Sequence, residues 1–190
     1  PEMARKVIDK ALKDGLAETA QMVFQRLDTP VALGYSCAGH VVGVGSGVNG
    51  FAVGDRVACA GQNYASHAEF VAVPVNLCSR IPDGVDFDAA AYVTLGAIAM
   101  QGVRQADPRL GELVVVIGLG LLGQLAVQML KANGCRVLAA DVAGDKLAMA
   151  RQFGADDAVL IGELVEATRV MSGGRGADCV LIAASTKDNG

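Results

Sequence analysis

Long apolar runs are absent from this chain of 190 residues. No stretch approaches the ~18 uninterrupted apolar residues that a helix needs to cross a bilayer. The first ten residues, PEMARKVIDK, also lack the apolar segment of a signal peptide. We therefore expect no membrane partner, no secretion and a cytoplasmic location.

An excess of basic residues is absent as well. The chain carries 16 Lys and Arg against 20 Asp and Glu, which gives a formal net charge of −4. No block of Lys and Arg provides the positive surface that nucleic-acid binding requires. Nucleic acid is therefore not an expected partner.

The cysteine pattern gives no sign of a disulfide framework. The cysteines are odd in number, widely spaced and without a Cys-x-x-Cys pair. This usage is typical of reduced thiols in the cytoplasm, where cysteine acts as a small buried hydrophobic residue. We interpret all five as structural: Cys37, Cys59, Cys78, Cys135 and Cys179.

The remaining composition, 52% hydrophobic and 19% charged, is enough to bury a sizeable core in one large or two small domains. Residues 1–30 are predicted to form an N-terminal amphipathic helical segment, because apolar residues recur at helical spacing over 2–28. Gly15 favours a break in its middle, and Pro30 ends it.

From residue 31 to about 82 the pattern changes to short valine-rich runs between glycine turns, as in a small β-barrel or sandwich. The runs are AGHVVGVG at 38–45, GDRVACA at 54–60 and AEFVAVP at 68–74. Helical spacing returns at 89–106, and strand and helix patterns then alternate to the end of the chain. Continuous apolar strands between amphipathic helices predict a parallel sheet covered on both faces, so the fold class is α/β.

The stretch GLGLLG, residues 118–123, raises the question of function. It follows the apolar strand ELVVVI and opens a helix, and Gly118, Gly120 and Gly123 have the spacing of a dinucleotide-binding turn. Such a turn places pyrophosphate on the free N–H groups of the helix start. Asp141 closes the next strand 18 residues after Gly123, where an acid accepts hydrogen bonds from the adenosine ribose. Dinucleotide binding is therefore predicted.

The same acid predicts which dinucleotide is bound. A carboxylate at Asp141 repels a 2′-phosphate, and the next residue, Val142, is not the arginine that would accommodate one. We therefore expect NAD in preference to NADP.

Several motifs occur in an order and at intervals that resemble the medium-chain dehydrogenase/reductase superfamily, the relatives of the zinc alcohol dehydrogenases. The resemblance covers residues 31–186, and it is strongest for sugar- or polyol-dehydrogenase-like members that form the first half of longer two-domain oxidoreductases. The motifs are GDRV at 54–57, AEFVAVP at 68–74, IPDGVDFDAAA at 81–91, VVVIGLGLLGQLAVQMLKANG at 114–134 and DKLAMARQFGAD at 145–156.

The resemblance implies a partial GroES-like catalytic domain over residues 31–92. A partial Rossmann domain over 93–190 would follow and would stop after its fourth strand, as in a fragment, with nicotinamide between the two. It also implies a homodimer, because the last strand of the Rossmann sheet mediates dimerisation in related folds. The implied cofactor contacts are Gly118, Leu119, Gly120, Leu121, Leu122 and Gly123 to pyrophosphate, Asp141 and Lys146 to ribose, and Ala183 and Ala184 near a ribose.

The zinc ligands of the family are missing. The chain reads Gly34-Tyr35-Ser36 in place of Gly-His-Glu and has Thr94 in place of a ligand cysteine, while a further ligand would precede Pro1. Catalytic zinc needs three protein ligands, so no zinc is expected. Cys37 and His40 would point to opposite faces of a strand, and we interpret His40 as a strand residue and His67 as a loop residue.

A reaction without zinc needs other groups to stabilise a developing oxyanion, and hydroxyl donors are suitable. Tyr35, Ser36 and Thr94 occupy the family positions that face nicotinamide, so they are the catalytic candidates; alternatively, they only fill the space of the lost ligands.

The predicted function is zinc-independent hydride transfer between NAD(P) and a small-molecule alcohol, sugar or carbonyl compound. One alternative is an NADPH-dependent quinone or enone reductase, against which Asp141 argues. The other is a dinucleotide-binding module, or a fragment, without catalysis.

Overall fold

The computed structural model describes residue 15 and residues 32–185. The helical segment predicted for residues 1–30 therefore lies outside the described residues, Gly15 apart. Two sheets form in the described part, a small antiparallel one followed by a larger parallel one. Their order along the chain agrees with the predicted α/β class.

The small sheet has its middle strand buried on both faces. Three antiparallel strands lie in the order β1-β2-β3, with β1 at Ser36–His40, β2 at Arg56–Ala60 and β3 at Cys78–Arg80. Val57 and Cys59 of β2 pack into one apolar cluster, and Ala58 packs with Ile81 and Ala90 into another. Because residues alternate between faces along a strand, the sequence RVACA supplies both clusters.

Two predicted strands of this region differ in the structure. The run 38–45 is a strand only to His40, and residues 41–45 are a loop. The prediction of a strand at 68–74 is wrong, because this stretch pairs with no strand in the part of the chain that the structure describes, and Phe70 is 75% exposed. An apolar alternating stretch becomes a strand only where a partner completes its backbone hydrogen bonds.

Two helices connect the sheets. Helix α1, Phe87–Ala90, begins at Asp86, whose side chain accepts a hydrogen bond from Ala89 N at 2.7 Å. Helix α2, Val93–Ala106, starts three residues after α1 ends, so the helical pattern at 89–106 is divided near Tyr92. Helix α2 contacts β2 and also the strand Cys179–Ile182 of the parallel sheet, and it thereby joins the two sheets.

The parallel sheet has the predicted alternation of strands and helices. Its elements are β4 Leu113–Ile117, α3 Leu121–Ala132, β5 Arg136–Asp141, α4 Asp145–Gln152, β6 Asp157–Leu160, a 3-10 turn Ile161–Glu163, α5 Leu164–Met171 and β7 Cys179–Ile182. The strands lie in the order β6-β5-β4-β7, and all of their pairs are parallel. Helices α2, α3 and α4 cover one face and α5 covers the other.

The strand order determines where a ligand is expected. From β4 the chain proceeds outward through β5 to β6, and it then returns to the other side of β4 to form β7. Ligands of open α/β sheets bind beyond the carboxyl ends of the strands at such a switch point. None of the helices within residues 32–185 combines the length and apolarity that crossing a membrane requires.

We predict that Leu130→Ala lowers the free energy of unfolding by about 2–5 kcal/mol, the usual cost of emptying a fully buried leucine site. Leu130 is 0% exposed in the core between α3 and the sheet. Urea unfolding followed by circular dichroism measures the change. Leu110→Ala is the matched control, because Leu110 is 84% exposed and its loss should cost no more than ~0.5 kcal/mol. Equal effects would contradict the assigned core.

Candidate functional site

The turn between β4 and α3 leaves no room for side chains at two of its glycines. Gly118 has φ +92°, and a β-carbon built there would lie 2.6 Å from Ala184 N. A β-carbon on Gly123 would lie 1.9 Å from the carbonyl oxygen of Gly118. Both glycines therefore allow close contact, of β4 with the segment after β7 and of α3 with the turn.

The middle glycine lies in open space. A β-carbon on Gly120 would meet nothing within 4 Å, and Gly120 stands at the start of α3 without a side-chain cap. The N–H groups of the first helical turn, at Leu121, Leu122 and Gly123, have no helical partner upstream. An uncapped helix start beside an open glycine fits the pyrophosphate of a dinucleotide.

Asp141 lies at the end of β5 and holds the glycine turn. Its Oδ2 accepts a hydrogen bond from Leu119 N at 2.6 Å, and its Oδ1 accepts one from Ala143 N at 2.9 Å. Lys146 Nζ lies 3.5 Å from Oδ2. Burial raises the pKa of Asp141, but these N–H donors and the Lys146 ammonium outweigh it and hold the pKa below the usual carboxyl value. Asp141 is therefore an ionised carboxylate whose two oxygens both have hydrogen-bond partners within the protein.

The other predicted cofactor residues surround the same turn. Ala183 N donates to the carbonyl of Ile117 at 2.8 Å, and Ala184 contacts Gly118, so both follow β7 along the wall of the turn. Lys146 and Gly120 line one groove of about 520 Å³, and Tyr92 is another of its lining residues. The structure thus brings together all of the residues that the sequence assigned to the dinucleotide.

A second cavity, of about 540 Å³, contains two of the three catalytic candidates. Tyr35 and Ser36 line it with His67, Asp88 and Tyr92. Ser36 Oγ donates to the carbonyl of Ala91 at 2.6 Å, so the Ser36 hydroxyl proton is not available to a substrate while this hydrogen bond is formed. The Tyr35 residue is 42% exposed. Tyr35 is therefore the exposed candidate among the residues that line the cavity.

The third candidate lies elsewhere. Thr94 is not among the lining residues of this cavity, and its Oγ1 is buried without a hydrogen-bond partner within the described chain. The structure therefore does not bring Thr94 together with Tyr35 and Ser36 in this cavity.

His67 is a lining residue that sequence reasoning missed. Its backbone N–H donates to the carbonyl of Leu33 at 2.7 Å, and its ring lies against Gly34. A β-carbon on Gly34, which has φ +87°, would lie 2.3 Å from His67 Cδ2. The sequence signal for a role of His67 was weak: it is one of two histidines in the chain, and it lies in a polar loop. The imidazole supplies a second polar group beside Tyr35.

Tyr92 is a lining residue both of the cavity of Tyr35 and of the groove at Gly120, so the two lie on either side of one side chain.

The Cys37 and His40 side chains lie apart, as expected for a strand. Cys37 packs into the cluster of Val57 and Cys59, whereas the His40 ring lies 5.0 Å from the ring of Phe87, between centroids. Among residues 32–185, no group of three His, Cys, Asp or Glu side chains is arranged to hold a metal ion.

Two family models match the chain. The alcohol dehydrogenase GroES-like domain matches residues 10–83, and the zinc-binding dehydrogenase domain matches residues 122–189. Together they cover the small sheet and the segment from Leu122, at the end of the glycine turn, onward.

Individual relatives agree with the family models. D-guloside 3-dehydrogenase of Escherichia coli is 33% identical over 152 residues, which cover 78% of this chain and 43% of that protein. An NAD-dependent alcohol dehydrogenase structure superposes with a TM-score of 0.70 at 30% identity, covering 82% of this chain and 54% of that one. The Escherichia coli quinone oxidoreductase complexed with NADPH gives 0.68 at 28% identity, covering 78% and 48%. The chain spans about half the length of the curated relatives that it matches.

We predict that Gly123→Ala destabilises the protein by about 1–3 kcal/mol, the usual cost of overpacking, because the new β-carbon meets the Gly118 carbonyl. Helix propensity alone would instead make alanine stabilising by about 1 kcal/mol. The free energy of unfolding in urea measures the sign. Gly120→Ala is the control, since its β-carbon meets nothing and should change stability by less than ~1 kcal/mol. A stabilised Gly123→Ala variant would show that α3 does not pack on the turn.

Proposed function

Because the chain belongs to the medium-chain dehydrogenase/reductase superfamily, we propose that the protein is an NAD(P)-dependent oxidoreductase. It transfers hydride between nicotinamide and a small alcohol, sugar or carbonyl compound. The observation that carries the proposal is the open, uncapped helix start at Gly120, whose groove shares the lining residue Tyr92 with the cavity of Tyr35. The chemistry of hydride exchange is supplied by the nicotinamide when it is bound.

The residues of this chain have separate roles in binding the cofactor and the substrate. The N–H groups at the start of α3 bind the pyrophosphate, and Asp141 holds Leu119 so that the turn keeps its shape. Tyr35 and His67 face the second cavity, where an O–H or N–H donor can hydrogen-bond a substrate oxygen. Ser36 ties β1 to Ala91, which makes it a positioning residue.

The preference for NAD over NADP is supported by the charges at and beside Asp141. An anionic carboxylate at Asp141 repels the 2′-phosphate of NADP, and the neighbouring Val142, 80% exposed, offers no positive group. The Lys146 ammonium partly offsets that repulsion at 3.5 Å from Asp141. Its presence, with the likeness to a quinone oxidoreductase complexed with NADPH, favours an NADPH-dependent quinone or enone reductase as the second candidate.

Independence from zinc is supported by the residues at the family's ligand positions. Tyr35, Ser36 and Thr94 stand there, and none of them offers the imidazole, carboxylate or thiolate that binds zinc in proteins. We extend the proposal to a cytoplasmic homodimer. The location follows from the cysteine usage, and the dimer would pair through the Rossmann sheet.

We predict that the protein binds NADH about tenfold more tightly than NADPH and that Asp141→Ala narrows this ratio, because the repelling carboxylate is gone. Fluorescence titration with each cofactor measures both affinities. The ratio is the informative quantity, since loss of Asp141 also loosens the turn and weakens both cofactors together.

Asp156→Ala is the control for the cofactor ratio. Asp156 likewise accepts hydrogen bonds from a strand N–H, Val137, and from a lysine, Lys131, but it lies away from the turn. Its loss should lower stability and leave the ratio unchanged. Equal affinities of the wild type for NADH and NADPH would refute the assigned preference, and failure to bind either would refute the proposed function.

We predict that the purified protein contains far less than one zinc ion per chain and that prolonged dialysis against a chelator leaves its affinity for NADH unchanged. Elemental analysis by mass spectrometry measures the content, with a zinc-containing alcohol dehydrogenase treated in parallel. Stoichiometric zinc would show that ligands outside the described residues complete a metal site.

A further inference from the structure

Three cysteines that the proposed reaction does not use lie side by side across the small sheet. Cys37 of β1 is the register partner of Cys59 of β2, and Cys59 is also the register partner of Cys78 of β3. Directly opposed residues of antiparallel strands point to the same face. The three thiols therefore share one face, and they line one groove of about 470 Å³ between the sheet and residues 68–73.

The two cysteine pairs differ in their backbone geometry. Hydrogen-bonded and non-hydrogen-bonded pairs alternate along antiparallel strands, with Cα atoms about 5.5 and 4.5 Å apart, respectively. Ile81 N donates to the carbonyl of Arg56, so Arg56 and Ile81 are a hydrogen-bonded pair. Cys59 and Cys78 lie three pairs further along the two strands and are therefore a non-hydrogen-bonded pair. Gly61 N donates to the carbonyl of Tyr35, which places Cys37 and Cys59 at a hydrogen-bonded one.

The closer pair has the geometry for a covalent bond. Disulfides join Cα atoms 4.4–6.8 Å apart, a range that includes both kinds of pair, so the contact between the sulfur atoms is what distinguishes Cys59 and Cys78. Cys59 Sγ lies 3.7 Å from Cys78 Sγ, so both sulfurs already face each other. We propose that Cys59 and Cys78 are a site of reversible oxidative modification, in which a peroxide converts the two thiols into a cross-strand disulfide.

The chemistry assigns different parts to the two sulfurs. Burial, together with the neighbouring thiols, raises the pKa of Cys59 to about 12, which makes it a poor first nucleophile. Cys78, half-buried at the groove, attacks the peroxide; its S–O bond forms while the O–O bond breaks, and one water is released. The Cys59 sulfur then displaces the second oxygen as water. Two thiols and one peroxide give one disulfide and two waters, with two electrons passing from sulfur to oxygen.

The remaining cysteines are internal controls. Cys135 and Cys179 belong to the parallel sheet region, and neither is the register partner of another cysteine. Cys37 tests whether the kind of cross-strand pair matters, because it also lies opposite Cys59, but at a hydrogen-bonded position. Selective bonding of Cys59 to Cys78 would therefore report this geometry and not a general reactivity of the thiols.

The sequence makes the site readable by mass spectrometry. Trypsin releases residues 57–80 as one peptide that carries both Cys59 and Cys78, and it leaves Cys37 on the separate peptide 27–56. The reduced, folded protein would be treated with hydrogen peroxide, alkylated with iodoacetamide and digested without reductant. We predict that peptide 57–80 becomes lighter by two hydrogen atoms and carries no alkyl group, and that dithiothreitol reverses the change.

Two variants complete the test. Cys37→Ser should still form the light peptide, and Cys78→Ser should not. Full alkylation of Cys59 and Cys78 after peroxide treatment would overturn the proposal, as would a cross-link between peptides 27–56 and 57–80 in place of the internal bond. The experiment needs neither cofactor nor substrate, so its result is independent of the proposed enzymatic function.

Discussion

The contact of Gly123 with the carbonyl of Gly118 is the constraint on which the cofactor site depends. It holds the start of α3 against the end of β4, and no side chain can enter between them. The free N–H groups of the helix consequently lie beside Gly120, the one glycine of the three with open space in front of it. The Asp141 carboxylate secures this arrangement from the adjacent strand through Leu119 N. The turn is thus shaped by packing on one side and by an ionic hydrogen bond on the other.

The sequence predicted the parallel sheet better than the antiparallel one, for a physical reason. The strand 136–141 and the helices of that half have local signals, namely continuous apolar strands and a helical period, and they recur in the structure with bounds changed by few residues. In the small sheet a strand depends on its partner. Residues 68–74 have the alternation of a strand but pair with none in the described chain, and β3, three residues long, has too short a pattern to detect.

In the candidate site, too, the features with a local sequence signal were predicted and those that depend on distant contacts were not. Spacing alone located Gly118 to Gly123 and Asp141, because a βαβ unit brings them together whatever its surroundings. Spacing could not show that the Asp141 carboxylate points into the turn, nor that His67 lies against Gly34, since both depend on contacts between residues far apart in the chain. Thr94 illustrates the converse: the resemblance assigned it a position, but its hydroxyl is buried and Thr94 does not line the cavity of Tyr35.

The donors of the second cavity set a limit on the proposed chemistry. A zinc ion polarises a carbonyl oxygen with a full charge, whereas Tyr35 and His67 would do so through single hydrogen bonds. Removal of one such donor typically costs about 10²–10³ in rate. Ser36 cannot add a third donor while it donates to the Ala91 carbonyl. The proposed reaction therefore depends on how closely the Tyr35 and His67 side chains can approach the substrate oxygen.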